Sequence, residues 1–143
     1  MARYPRKLAE NVAYHVTARI HRREMIFEND DLKALFLDVV NSAKAKYDFS
    51  LRNFCIMGNH IHLDITPRAG ASLSKIMQWI LGVFASKFNK MYKHDGHVWY
   101  DRFKSKIIES FEQLVNTFSY IANNPVRANI VNHPLQYCYC LIA

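Results

Sequence analysis

Two strand-forming runs, Phe49–Met57 and His60–Thr66, are separated only by Gly58-Asn59. Strands joined by a two-residue turn can pair only antiparallel, because a parallel pair needs a crossover of roughly a dozen residues. This hairpin excludes an all-helical bundle and a purely parallel sheet. Around it, Val12–Ile20 alternates with period two and is rich in β-formers, which predicts another strand. Asp30 or Asp31 can cap a helix running to about Tyr47, with Leu32, Leu35, Phe36, Val39 and Val40 as its apolar stripe. Ser72 opens a longer helix carrying Leu73, Ile76, Met77, Ile80, Leu81, Phe84 and Phe88 at helical spacing. A strand follows near residues 103–108. Ser110-Phe111-Glu112-Gln113 then has the form of a capping box, opening a helix that Pro125 should stop. The order β-α-β-β-α-β-α predicts an α+β, ferredoxin-like fold: an antiparallel sheet with helices packed on one face.

With 143 residues, half of them apolar, the chain can build one sizeable core, so a single domain over residues 1–143 is expected. No apolar run approaches the roughly eighteen residues of a membrane-spanning helix. The basic start, Met1–Lys7, has no apolar run behind it, which argues against a signal peptide. Cys55, Cys138 and Cys140 form no paired C-x-x-C clusters, so neither a disulfide framework nor a structural zinc site is expected, and a reducing cytoplasm is the default. The net charge is +7, and it is clustered. Arg3, Arg6, Lys7, Arg19, Arg22 and Arg23 face only Glu10 in the first 23 residues. Lys87, Lys90, Lys93, Arg102, Lys104 and Lys106 are opposed by Asp95 and Asp101. A polyanionic partner is implied, with nucleic acid ahead of a membrane surface.

Three features could carry chemistry. On the strand His60–Thr66, alternation puts His60, His62 and Asp64 on one face. Imidazoles two residues apart, about 6.6 Å along the strand, can converge on one metal ion; the same pattern also fits a solvated polar sheet face. On the last helix, Phe111, Leu114, Val115, Phe118 and Ile121 form a stripe that should face the core, which leaves Tyr120 on the polar side. Asn124 lies one turn beyond Tyr120. That pair can supply a phenol nucleophile and an amide ligand, or simply an amphipathic surface. In His94–Lys106, aromatic and basic residues interleave, which suits base stacking with phosphate contact at Trp99, Arg102, Lys104 and Lys106. A strand with a charged solvated face has the same composition. No G-x-S-x-G elbow, P-loop or G-x-G-x-x-G occurs, so serine-triad and nucleotide-dependent chemistry lack support.

Four blocks in order resemble the single-tyrosine HUH transposases, in particular the REP-associated tyrosine transposases of bacteria. These blocks are Tyr14–Arg19, Met57–Leu63, Gly96–Ser105 and Tyr120–Ala128. The resemblance implies a ferredoxin-like fold and metal-dependent cutting and rejoining of single-stranded DNA near a hairpin. His60 and His62 match the histidine pair, Tyr120 the nucleophile, and Asn124 the polar residue that completes the metal site. Mg²⁺ or Mn²⁺ is the implied ion, although imidazole ligands alone favour later transition metals. Arg22, Arg23, Arg102, Lys104 and Lys106 become candidates for holding the DNA backbone. The family context implies a bacterial, cytoplasmic, nucleoid-associated protein and allows a homodimer in which one subunit's tyrosine helix completes its partner's site. Two readings compete with strand transfer: a domesticated, non-catalytic hairpin-DNA binder, and a metal hydrolase built on His60, His62 and Asp64. Gly58 stands where the family commonly carries proline, and Tyr137–Ala143 lacks the Trp often found there.

Overall fold

The computed structural model of the protein describes residues 11–68, 70–130 and 140–141. Its elements, in chain order, are β1 (Tyr14–Arg19), α1 (Asp30–Lys46), β2 (Phe49–Ile56), β3 (His60–Pro67), α2 (Leu73–Tyr92), β4 (Lys104–Ile107), α3 (Phe111–Ala122), α4 (Asn124–Arg127) and β5 (Cys140–Leu141). Two short 3₁₀ turns, His21–Arg23 and Ile26–Glu28, lie between β1 and α1. The strands form one antiparallel sheet in the order β4-β1-β3-β2-β5. The expected hairpin is β2–β3, closed by Met57 N–H donating to the His60 carbonyl at 2.9 Å.

The fold is α+β, and α1 and α2 cover one face of the sheet. Val16, Ile61, Leu63 and Ile65 from the two central strands meet Phe36, Ile76, Ile80 and Phe84 from these helices in the buried core. Phe27, Phe36, Phe84 and Trp99 add an aromatic cluster, with ring centroids 5.3 Å apart for Phe27–Phe84 and 5.6 Å for Phe84–Trp99. Helix α3 lies on the other face. Asn53 Nδ2 donates to the Phe118 carbonyl at 3.1 Å, and Ile121 is fully buried. Helices on both sides explain why β3 is buried from Ile61 to Pro67, with no exposed alternation.

The helix starts follow capping chemistry with small departures from expectation. Asn29, not Asp30 or Asp31, caps α1, its Oδ1 accepting from Asp31 N–H at 2.8 Å. The two aspartates sit in the first turn, where they complement the helix dipole. Ser110 Oγ accepts from Gln113 N–H at 3.1 Å, while Gln113 Oε1 reaches Glu109 N–H at 2.7 Å, one residue earlier than a standard capping box. Pro125 does end α3 and then sits in the first turn of α4, where its missing N–H costs nothing.

Three expectations give way to tertiary structure. Val115 is 46% exposed rather than core, because α3 meets a sheet face lined by polar side chains. A bulge between Leu51 and Asn53 switches the alternation of β2, so Asn53 and Cys55 face α3 while Phe54 and Ile56 face the core. Cys55 is disulfide-bonded, and Cys140 stands directly opposite it in the β2–β5 ladder. The β2–β5 ladder joins residues far apart in the chain, an association that no local cysteine spacing announces. Cys138, Arg3, Arg6 and Lys7 lie outside the described residues. Among the described residues, no helix is long and apolar enough to cross a membrane.

Candidate active site on the second face of the sheet

His60 and His62 project from β3 onto the face that carries α3, with ring centroids 4.9 Å apart. Antiparallel partners share a face, so Arg19 and Thr17 of β1 lie beside them. His60 Nδ1 donates to Asn59 Oδ1 at 2.7 Å. His62 Nδ1 lies 3.1 Å from His15 Nε2 and 3.5 Å from Thr17 Oγ1. Burial pushes all three imidazoles below their usual range. For His62 the value falls to about 3, because the charges of His60, His15 and Arg127 add to the burial. These rings are therefore neutral near pH 7, the form in which an imidazole can ligate a metal.

Helix α3 delivers Tyr120 to the same place. Its half-exposed ring meets His62 edge-on at 5.7 Å and His15 at 5.9 Å between centroids. The Arg127 guanidinium carbon lies 3.8 Å from the centre of the Tyr120 ring, and Arg127 Nη2 donates to the Tyr120 carbonyl at 3.1 Å. Asn124 is the first residue of α4 and is buried, and its Nδ2 has no hydrogen-bond partner among the described residues. Asp64 lies on the same face, fully buried, with both carboxylate oxygens unpartnered among the described residues. Burial raises its carboxyl above the usual range, against the opposite pull of Arg52.

Among the described residues, no group of three or more His, Cys, Asp or Glu side chains could hold a metal ion. This weighs against a His60–His62–Asp64 hydrolase. The two neutral imidazoles offer nitrogen donors, and the buried Asn124 side chain, whose amide nitrogen has no partner among the described residues, would add an amide oxygen to the set. That set fits a divalent ion whose remaining ligands are oxygens of water or phosphate.

The proposed DNA-contacting residues separate into two groups. Lys104 and Lys106 are exposed on edge strand β4, opposite Thr17 and His15, and so share the histidine face. Arg22 and Arg23 are exposed in the turn after β1, both with left-handed φ of 58° and 56°. Arg22 lines a cleft of about 320 Å³ with His94 and His97, and Arg102 lines an adjoining cleft of about 630 Å³ with His21 and Tyr100. Trp99 is placed differently from the expectation. Its indole N–H donates to the Leu81 carbonyl at 2.9 Å and its partly buried ring packs against Phe84 at the margin of the core. The neighbouring Tyr100 is the exposed aromatic here, with the Arg19 guanidinium carbon 4.1 Å from its ring centre.

Sequence reasoning missed His15, Asn59, Arg19, Tyr100 and Arg127. A signal for His15 was present, because it alternates with Thr17 on the polar side of β1. Its meeting with His62 depends on strand order, which that alternation does not specify.

Residues 9–124 match the family of IS200-like transposases. No curated protein sequence matches the chain. In structure, the chain is similar to a REP-associated tyrosine transposase bound to a REP hairpin, with a TM-score of 0.83 and 18% identity over 98% of this chain and 82% of that one. It is also similar to a Deinococcus radiodurans R1 protein assigned as a transposase, with a TM-score of 0.57 and 16% identity over 85% of this chain and 97% of the other. At these identities the likeness is one of fold.

Proposed function

The chain belongs to the IS200-like transposase family, and from that premise we propose that it is a DNA strand transferase that cuts and rejoins single-stranded DNA beside a hairpin. One observation carries the reading: Tyr120 of α3 and His62 of β3, far apart in sequence, meet on one sheet face at 5.7 Å between rings. The hairpin bound by the similar REP-associated transposase is the kind of DNA assigned to this chain.

In this mechanism the Tyr120 oxygen attacks the scissile phosphorus in line with the bond to the 3′ oxygen. The phosphorus–O3′ bond breaks, leaving a 5′-phosphotyrosine; the phenol proton passes to solvent, which reaches the half-exposed ring, and the departing O3′ takes a proton from solvent to become the 3′-hydroxyl. Attack by a 3′-hydroxyl on the phosphotyrosine reverses the step and frees the phenol. Arg127, stacked on the ring, restrains its orientation. His60, His62 and the Asn124 amide are the residues that would hold Mg²⁺ or Mn²⁺, which when bound polarises the scissile phosphate and offsets the charge growing on it. Lys104 and Lys106 hold backbone phosphates on this face, and Arg22, Arg23 and Arg102 extend the contact toward the loop clefts. The short Tyr120–His62 separation favours a site assembled within one chain, so a homodimer is not required for chemistry. The reaction is assigned to the bacterial cytoplasm, at the nucleoid.

The test is incubation of labelled single-stranded hairpin DNA with the protein and Mn²⁺. A covalent protein–DNA adduct is expected, and Tyr120→Phe should abolish it. An adduct that persists in Tyr120→Phe overturns the nucleophile assignment. Hairpin binding without adduct under any divalent metal would replace the enzyme by a domesticated, non-catalytic binder.

A further inference from the structure

We propose that His15 is a positioning residue: its Nε2 accepts a hydrogen bond from His62 Nδ1–H and so holds His62 in the tautomer whose Nε2 lone pair is free for a metal. This role rests on the reading of His60 and His62 as metal ligands. An imidazole that ligates through Nε2 carries its proton on Nδ1, and the group accepting that proton fixes both tautomer and ring orientation.

At His60 the acceptor is Asn59 Oδ1, 2.7 Å away, and an amide oxygen can only accept. His62 has two candidate acceptors, His15 Nε2 at 3.1 Å and Thr17 Oγ1 at 3.5 Å. The second distance lies at the outer limit of hydrogen bonding, so His15 is the stronger partner. The reverse arrangement, with His15 donating, would place the His62 proton on Nε2 and leave no lone pair there. The two rings also stack, with centroids 5.3 Å apart and planes inclined by 25°, which limits rotation of His62. His15 is paired with Asp64 in the β1–β3 ladder, which makes it a diagonal neighbour of His62 on one face. Both ligands on β3 therefore have a dedicated acceptor for the Nδ1 proton, one from the adjacent turn and one from the adjacent strand.

His15 also meets the edge of Tyr120, so the informative substitution keeps a ring. His15→Phe retains the stacking surface and removes the acceptor, whereas His15→Gln supplies an amide oxygen in its place. Two measurements on the full chain decide the matter. Histidine ¹⁵N NMR of the metal-free protein near neutral pH, with His62 assigned by His62→Asn, should show His62 protonated on Nδ1. That state should persist in His15→Gln and Thr17→Val and give way to mixed tautomers in His15→Phe. Mn²⁺ binding, read from the free-ion electron paramagnetic resonance signal, should weaken roughly tenfold to a hundredfold in His15→Phe and stay near wild type in His15→Gln. A wild-type His62 protonated on Nε2, or a His15→Phe variant with wild-type Mn²⁺ affinity, overturns the role. If wild type takes up no Mn²⁺ that His60→Ala removes, the ligand reading itself fails and the metal-positioning role falls with it. The NMR result then still decides the direction of the hydrogen bond.

Discussion

At the scale of residues, Trp99 and Tyr100 show how neighbours of similar chemistry take opposite tasks. Composition recommends both as stacking platforms, since each sits among basic residues. A single bridge between Ile20 and Trp99 turns the indole inward, where Leu81 satisfies its N–H and Phe84 packs against it at a tilt. Tyr100 is left 58% exposed beside Arg19. The consequence separates stability from binding. Trp99→Ala should cost about 3–5 kcal/mol of stability, read by thermal or denaturant unfolding. Tyr100→Ala should leave the unfolding midpoint near wild type and weaken single-stranded DNA binding by about 1–3 kcal/mol, read by fluorescence anisotropy. If the two effects are exchanged, the orientation of this loop is wrong.

At the scale of elements, α3 and β2 together decide what the histidines meet. The β2 bulge moves Asn53 onto the α3 side, where its amide grips the Phe118 carbonyl, about one turn before the end of the helix that carries Tyr120. A strict period-two reading from Phe49 places Asn53 with Leu51 in the core, where its amide would lack partners. The start of α3 depends on Ser110, whose hydroxyl satisfies the Gln113 N–H. Ser110→Ala should destabilise the protein by about 1 kcal/mol in denaturant unfolding. Because α3 bears Tyr120, adduct formation should slow as well, while hairpin binding through β4 stays near wild type. An unchanged unfolding midpoint would mean that the cap contributes nothing to the fold.

At the scale of the whole molecule, the sheet works as a two-sided plate. One side is sealed by α1 and α2 over an apolar core, and the other holds the neutral histidines under a half-covering helix. The net charge of +7 is distributed so that Lys104 and Lys106 border the histidine face, and Arg22 and Arg102 border the loop clefts. Binding of single-stranded DNA should therefore weaken linearly in log affinity with log salt. Lys104→Ala and Lys106→Ala should each reduce the slope by about 0.7. Titrations at several salt concentrations check this, and an unchanged slope in both variants would remove β4 from the DNA surface.

The sequence by itself determined the antiparallel hairpin, the order of elements from β1 to α3 and, to within a residue, the helix starts, because turn chemistry, periodicity and capping act over a few residues. It also named His60, His62, Tyr120 and Asn124 as candidates, through local motifs joined by a family resemblance. Only the tertiary structure decided that α3 crosses the histidine face, that His15 from another strand pairs with His62, and that Arg127 covers Tyr120. It likewise decided that Trp99 packs at the margin of the core and that Cys55 faces Cys140. These outcomes depend on strand order and on one bulge, whose determinants are contacts between residues distant in the chain. Local periodicity says which side chains share a face; the assembled sheet says what that face meets.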